Sequence, residues 1–208
     1  MIQLRTKKDI KKNNIIYILL ILSLSSLLYL VIVRRDSHRK FCSLGLLSRQ
    51  NAFFINFVLI LSLFKKIRNT KYFSYLILNC LINCLFIFAF CIQQFSTIFD
   101  YFFVEHKFLP FIFVFYYLFI DSNIIPSNKI YIGFIYVFVY SFISLIAFEN
   151  ELFPYRDDLD KFKNNYQNSY HIIIIFLFLV IILNVFIVSY FLLKFKNNNV
   201  VIELQKIK

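Results

Sequence analysis

A hydroxyl, an imidazole and a set of amides and charges stand together in an otherwise apolar chain. Leu47 is followed by Ser48, Arg49, Gln50 and Asn51, and a second polar group contains Glu105 and His106. Histidine takes and returns a proton near neutral pH, and a serine hydroxyl becomes a useful nucleophile only with such a base within hydrogen-bond reach. Ser48 and His106 are therefore the candidate catalytic pair. Asn51, Gln50 or Arg49 could stabilise a developing oxyanion, an effect stronger in a low-dielectric pocket than in water. Glu105 either orients His106 or neutralises Arg49. Asp157, in the segment Phe153-Pro154-Tyr155-Arg156-Asp157-Asp158, belongs to the supporting polar cluster.

Other chemistries are poorly served. His38, His106 and His171 have no HxxH or HxxxH spacing, and Cys80, Cys84 and Cys91 lie four and seven apart in an apolar run. No metal site is expected from that pattern. With only two glycines, Gly45 and Gly133, the chain has no P-loop, GxGxxG turn or GxSxG elbow, and no cofactor is expected. The thiols read as small buried fillers. An intramembrane cysteine peptidase built on Cys42 is a remote alternative.

The elements that must position these groups are transmembrane helices. Hydrophobic residues make up 60% of the chain, aromatic residues 21% and charged residues 16%. That leaves too few polar side chains to coat a soluble globule of 208 residues. The hydrocarbon core needs about 20 helical residues. Four apolar runs meet this directly, and two shorter ones, ending at Phe64 and Ile120, reach it only by extending toward their N-termini. The expectation is an all-α, polytopic transmembrane bundle forming one membrane domain over residues 1–208. Its six helices lie near 15–33, 41–64, 72–95, 101–120, 130–148 and 170–195. The extended second and fourth helices carry Ser48 to Asn51 and Glu105 to Lys107 roughly 8 to 15 Å inside the helix starts. With six helices, both groups, the 153–158 segment and His171 fall on the same leaflet.

The net charge of +12 is distributed in short clusters beside apolar runs, which positive-inside topology explains more simply than a nucleic-acid partner. The N-terminus, the 65–71 connection and the C-terminus carry 5, 4 and 4 basic residues, which favours both termini in the cytoplasm. The 34–49 stretch, with five basic residues, runs against that orientation. Ile15 to Val33 is a full-length span running into Arg34 and Arg35, so it reads as a retained helix rather than a cleaved signal. The expected location is a cell membrane, with an organellar membrane as the alternative.

Charged groups inside hydrocarbon are costly unless paired, so they commonly face the interior and mark a site or pathway. The plainer reading makes the same residues headgroup-level helix ends, with Arg49 and Lys107 snorkelling and His106 solvated. Asn79 and Asn83, four apart on one face, together with Asn56 and Asn184, read as amides that bond between helices.

Four segments in this order carry a family resemblance: Leu47-Ser48-Arg49-Gln50-Asn51, His106-Lys107-Phe108-Leu109-Pro110-Phe111, Ile125-Pro126-Ser127 and Phe153-Pro154-Tyr155-Arg156-Asp157. The arrangement resembles the androgen-induced protein family of six-helix membrane hydrolases, which act on fatty acid esters of hydroxy fatty acids, and its uncharacterised bacterial relatives. The resemblance covers about 110 residues, Ser48 to Asp157. It implies that Ser48 replaces a threonine nucleophile and that His106 takes the histidine role. The tryptophans common near the family's later motifs are absent here.

The leading expectation is thus a multi-pass protein that cleaves a lipid ester within the bilayer, its partners being the bilayer, a lipid substrate and other membrane proteins. The alternative is a non-enzymatic protein, either a small transporter or a subunit of a larger membrane complex.

Overall fold

The computed structural model describes residues 2–33, 47–91, 103–146 and 170–205. Among them all regular structure is helical: α1 (Ile2–Val33), α2 (Leu47–Ser62), the single turn α3 (Lys65–Arg68), α4 (Lys71–Cys91), α5, α6 and α7. We use α5 for a composite helix in which the α-helical Leu109–Phe115 lies between two π turns, Val104–Phe108 and Tyr116–Ile120. A 3-10 helix, Ser127–Phe134, leads into α6 (Ile135–Ile146), and α7 runs from Tyr170 to Gln205.

Local chemistry sets several of these boundaries. Thr70 caps α4, its Oγ1 accepting the Phe73 N–H at 3.2 Å. Pro110 has no N–H to offer the carbonyl of His106 four residues earlier, and its ring would collide with that carbonyl in a regular α-helix. The π turn just before it widens the helix, the Leu109 N–H donating to Val104 O. At the other end the Asp121 N–H returns to Tyr116 O at 2.9 Å, closing the second π turn.

Among the described residues three helices are long and apolar enough to cross a membrane: Lys12–Ile32 within α1, Lys71–Ala89 within α4 and Ile175–Asn199 within α7. The apolar helices Leu47–Leu63 and Ser127–Ile143 are shorter. Of the three long segments α4 is the most buried, at 61% against 22% for α1 and 11% for α7, and it is the least apolar. A water-soluble bundle would place its least apolar helix outside. The reverse order is what hydrocarbon surroundings select, because there the outer surface has no need of polar side chains.

Single helices show the same inversion. On α2 the inward stripe is Ser48, Asn51, Ala52, Ile55, Leu59 and Ser62, while Phe53, Phe57 and Ile60 point outward. On α7 the inward stripe is Val185, Ser189, Leu193 and Lys196, and Phe176, Leu183 and Phe191 are exposed.

α4 is the central element, packed against α2, α5, the 3-10 helix, α6 and α7. The 3-10 helix crosses it tightly at Gly133, where an added Cβ would lie 2.8 Å from Leu78 Cγ and 3.0 Å from Leu78 O, and closer still to Ile82 Cδ1. A glycine here lets the two backbones approach. One turn further on, the Tyr136 N–H donates to Asn79 Oδ1 at 3.3 Å, and the Asn79 amide donates to Tyr75 O in its own helix at 3.0 Å. Asn79 is thus an interhelical bond. Asn56 and Asn184 instead donate to carbonyls one turn back in their own helices.

The N-terminal part of α1, α3 and the C-terminal part of α7 meet at one end of the bundle. Arg68 Nη1 donates to Asn13 Oδ1 at 3.2 Å and to Ser62 O at 3.3 Å. The Asn123 amide donates to both Arg68 O and Asp121 Oδ1, at 3.1 and 2.7 Å. Asp121 pairs with Lys196 of α7. The starts of α2 and α5 lie at the opposite end, where Arg49 meets Glu105.

Candidate functional site

The first turn of α2 brings Ser48, Arg49 and Asn51 inside the bundle, at 3%, 3% and 1% exposure, with Gln50 half-buried. Successive residues on a helix turn by about 100°. Arg49 and Asn51 therefore leave α2 in different directions, Arg49 toward α5 and Asn51 toward α4. The Asn51 amide donates to Cys84 Sγ at 3.4 Å, which locates the α4 side of this layer. Arg49 Nε donates to Glu105 Oε1 at 2.8 Å, and both side chains are buried. Of the two roles open to Glu105, neutralising Arg49 is the one seen. Opposite charges hold each other here in a medium that would otherwise penalise both.

Glu105 and His106 belong to the π turn that Pro110 demands. A π turn packs an extra residue into a helical turn, which alters the directions of the side chains it carries. Glu105 points inward and is 1% exposed, whereas His106 is half-buried and makes contacts of its own. Gln50 accepts a hydrogen bond at Oε1 from the Tyr136 hydroxyl, which ties α6 into the same layer. In the sequence Tyr136 is one of 14 tyrosines, and its only signal is a hydroxyl on an apolar helix. Asp157, His171's side chain and Cys42 lie outside the described residues or side chains.

Chemically, the layer offers a buried hydroxyl, a half-buried imidazole one residue from a carboxylate, and a guanidinium already engaged by that carboxylate. Among the described residues no three of His, Cys, Asp and Glu come together as a metal-binding group. Cys80 and Cys84 are free and buried.

A second charged cluster lies at the opposite end and was not singled out in the sequence. In the sequence Asp121 only follows the apolar run that ends at Ile120, and Lys196 is one of the C-terminal basic residues. Both side chains are fully buried in their ion pair, and Lys196 Nζ also sits 3.9 Å from the centroid of the Tyr117 ring. The Asn197 amide donates to Ile125 O at 2.8 Å beside it.

Compared with protein-family models, with curated proteins and with solved structures, the chain matches none.

Proposed function

We propose that the chain is a six-span integral membrane protein, with both termini cytoplasmic, whose interior polar layer cleaves a lipid ester using Ser48 as nucleophile and His106 as base. The observation that carries this reading is the burial of Ser48 on the first turn of α2, one residue from the Arg49–Glu105 pair that joins its helix to the one bearing His106. A hydroxyl at that position has the low-dielectric surroundings in which a neighbouring base and oxyanion donors act most strongly.

Six spans require the shorter helices to cross as well. The 3-10 stretch helps: eight residues rising about 2.0 Å each, followed by twelve at 1.5 Å, reach about 34 Å, against a hydrocarbon core of about 30 Å. Clusters of Lys and Arg at the end where α1 begins and α7 finishes favour the cytoplasm on that side.

A serine-directed fluorophosphonate on protein purified in detergent tests the chemistry. Labelling at Ser48 that disappears in Ser48→Ala and in His106→Ala, with membrane insertion intact, is the expected result. A well-folded wild type that does not label ends the hydrolase reading.

A second reading has its own support. Buried ion pairs stand at both ends of α5, Arg49–Glu105 at one and Asp121–Lys196 at the other, and intramembrane charges commonly line solute or proton pathways. This favours a small transporter or a subunit of a larger membrane complex. Assembly size after mild detergent extraction separates these: a large complex supports the subunit, and a lone chain that moves solute in proteoliposomes supports the transporter.

A further inference from the structure

Six buried polar atoms near the start of α2 have no hydrogen-bond partner among the described residues: Arg49 Nη2, Glu105 Oε2, Asn51 Oδ1, Asn56 Oδ1, and both amide atoms of Asn83. The five residues bearing them are nine-tenths or more buried. Four of them share one depth. The bond from Asn51 to Cys84 sets those two residues level, Asn83 precedes Cys84 by one position, and Arg49 with its partner Glu105 lies about 3 Å along α2 from Asn51. Asn56 lies about two turns further in. A buried polar group left unpaired suffers the full loss of its hydration, so such groups rarely persist without a ligand to meet them.

The character of these open valences narrows the ligand. At the shared depth two of the atoms are donors, Arg49 Nη2 and Asn83 Nδ2, and three are acceptors, Asn51 Oδ1, Asn83 Oδ1 and Glu105 Oε2. An ester carbonyl only accepts, so it could satisfy just the donors. An anion would face the three acceptors, and a metal cation would face the Arg49 guanidinium. Water gives two hydrogen bonds and receives two, and buried waters typically bridge groups of this kind.

We propose that Arg49, Asn51, Asn83 and Glu105 hold a hydrogen-bonded cluster of water molecules between α2, α4 and α5, inside the membrane. On the hydrolase reading this cluster is the store of the second substrate, since ester cleavage consumes one water for each acid and alcohol released. That role rests on the Ser48 and His106 assignment, but the binding of water does not.

Cys84 is the built-in reporter, because its Sγ touches the Asn51 amide. A small, water-soluble methanethiosulfonate reacts with thiols that water reaches, and peptide mass spectrometry of the full wild-type chain locates the modified cysteine. The expected result is modification of Cys84 in the folded protein, slowed several-fold by Asn83→Leu. The same substitution is expected to lower the melting temperature, because it removes a hydrated amide. A Cys84 that is modified only after denaturation, or at a rate Asn83→Leu leaves unchanged, overturns the proposal. So does a higher melting temperature in Asn83→Leu, the mark of a dry, unpaired amide. Fluorophosphonate labelling of the same sample keeps the two ideas apart. Reactive Cys84 with unlabelled Ser48 retains the water and removes the hydrolase, and the converse retains the hydrolase and removes the water.

Discussion

The ammonium of Lys196 and the carboxylate of Asp121 form a fully buried ion pair between α7 and the turn that follows α5, 75 residues apart in sequence. α7 is otherwise the least buried of the three long apolar helices. Among its described side chains the buried apolar ones are Val185 and Leu193, while Phe178 meets Phe86 edge-on and Phe186 lies tilted against Phe134, at ring-centroid distances of 5.8 and 6.2 Å. In hydrocarbon, apolar contacts between helices gain little over contacts with lipid, so a charged pair is the specific attachment that fixes where α7 docks.

Removing one partner leaves the other charge buried and alone. Lys196→Met or Asp121→Leu should each cost about 3–5 kcal/mol of stability, and the double substitution should cost less than either one. Thermal melting of the four proteins in detergent provides the cycle. Losses that simply add would show that the two groups are not coupled.

At the other end, exchanging the charges as Arg49→Glu with Glu105→Arg should recover part of the stability that each single reversal loses. Like charges placed together in either single variant cost more than the reversed pair does. Yield and melting temperature in detergent are the readouts. A double variant no better than the worse single one would mean that groups besides these two set the balance.

Gly133→Ala should destabilise by about 1–3 kcal/mol, the usual cost of overpacking a tight contact. Leu78 Cγ can rotate aside, but Leu78 O, 3.0 Å from the new Cβ, belongs to the backbone. Removing both side-chain contacts with Leu78→Ala and Ile82→Val should therefore rescue only part of the loss. Full rescue would place the whole conflict in the side chain.

The proposed orientation is open to fusion reporters. Green fluorescent protein attached after Lys208 should fluoresce in a bacterial host and alkaline phosphatase at the same point should be inactive, since only the former matures in the cytoplasm. The opposite pattern would invert the topology and make the five basic residues of 34–49 the cytoplasmic ones.

Much of this was legible in the sequence. Long apolar runs are a direct consequence of the solvent, so the helical membrane character and the long helices at Ile15, Tyr72 and Ile172 follow from composition along the chain. The polar groups beginning at Ser48 and Glu105 stood out because they interrupt those runs. Proline explains why the helix carrying Glu105 is irregular, and that signal was visible in His106-Lys107-Phe108-Leu109-Pro110, although the π turn itself was not.

What the sequence by itself determined, then, is the solvent this chain lives in and which residues are too polar for it. Only the tertiary structure decided which of those residues meet. Sequence spacing sets angles within one helix, but how far each helix is rotated about its axis depends on its packing against several others. That rotation directs Arg49 to Glu105, Gln50 to Tyr136 and Asn51 to Cys84, three different helices reached from three consecutive residues. The same packing joins Asp121 to Lys196, because a charge buried in hydrocarbon must find its opposite wherever along the chain it lies.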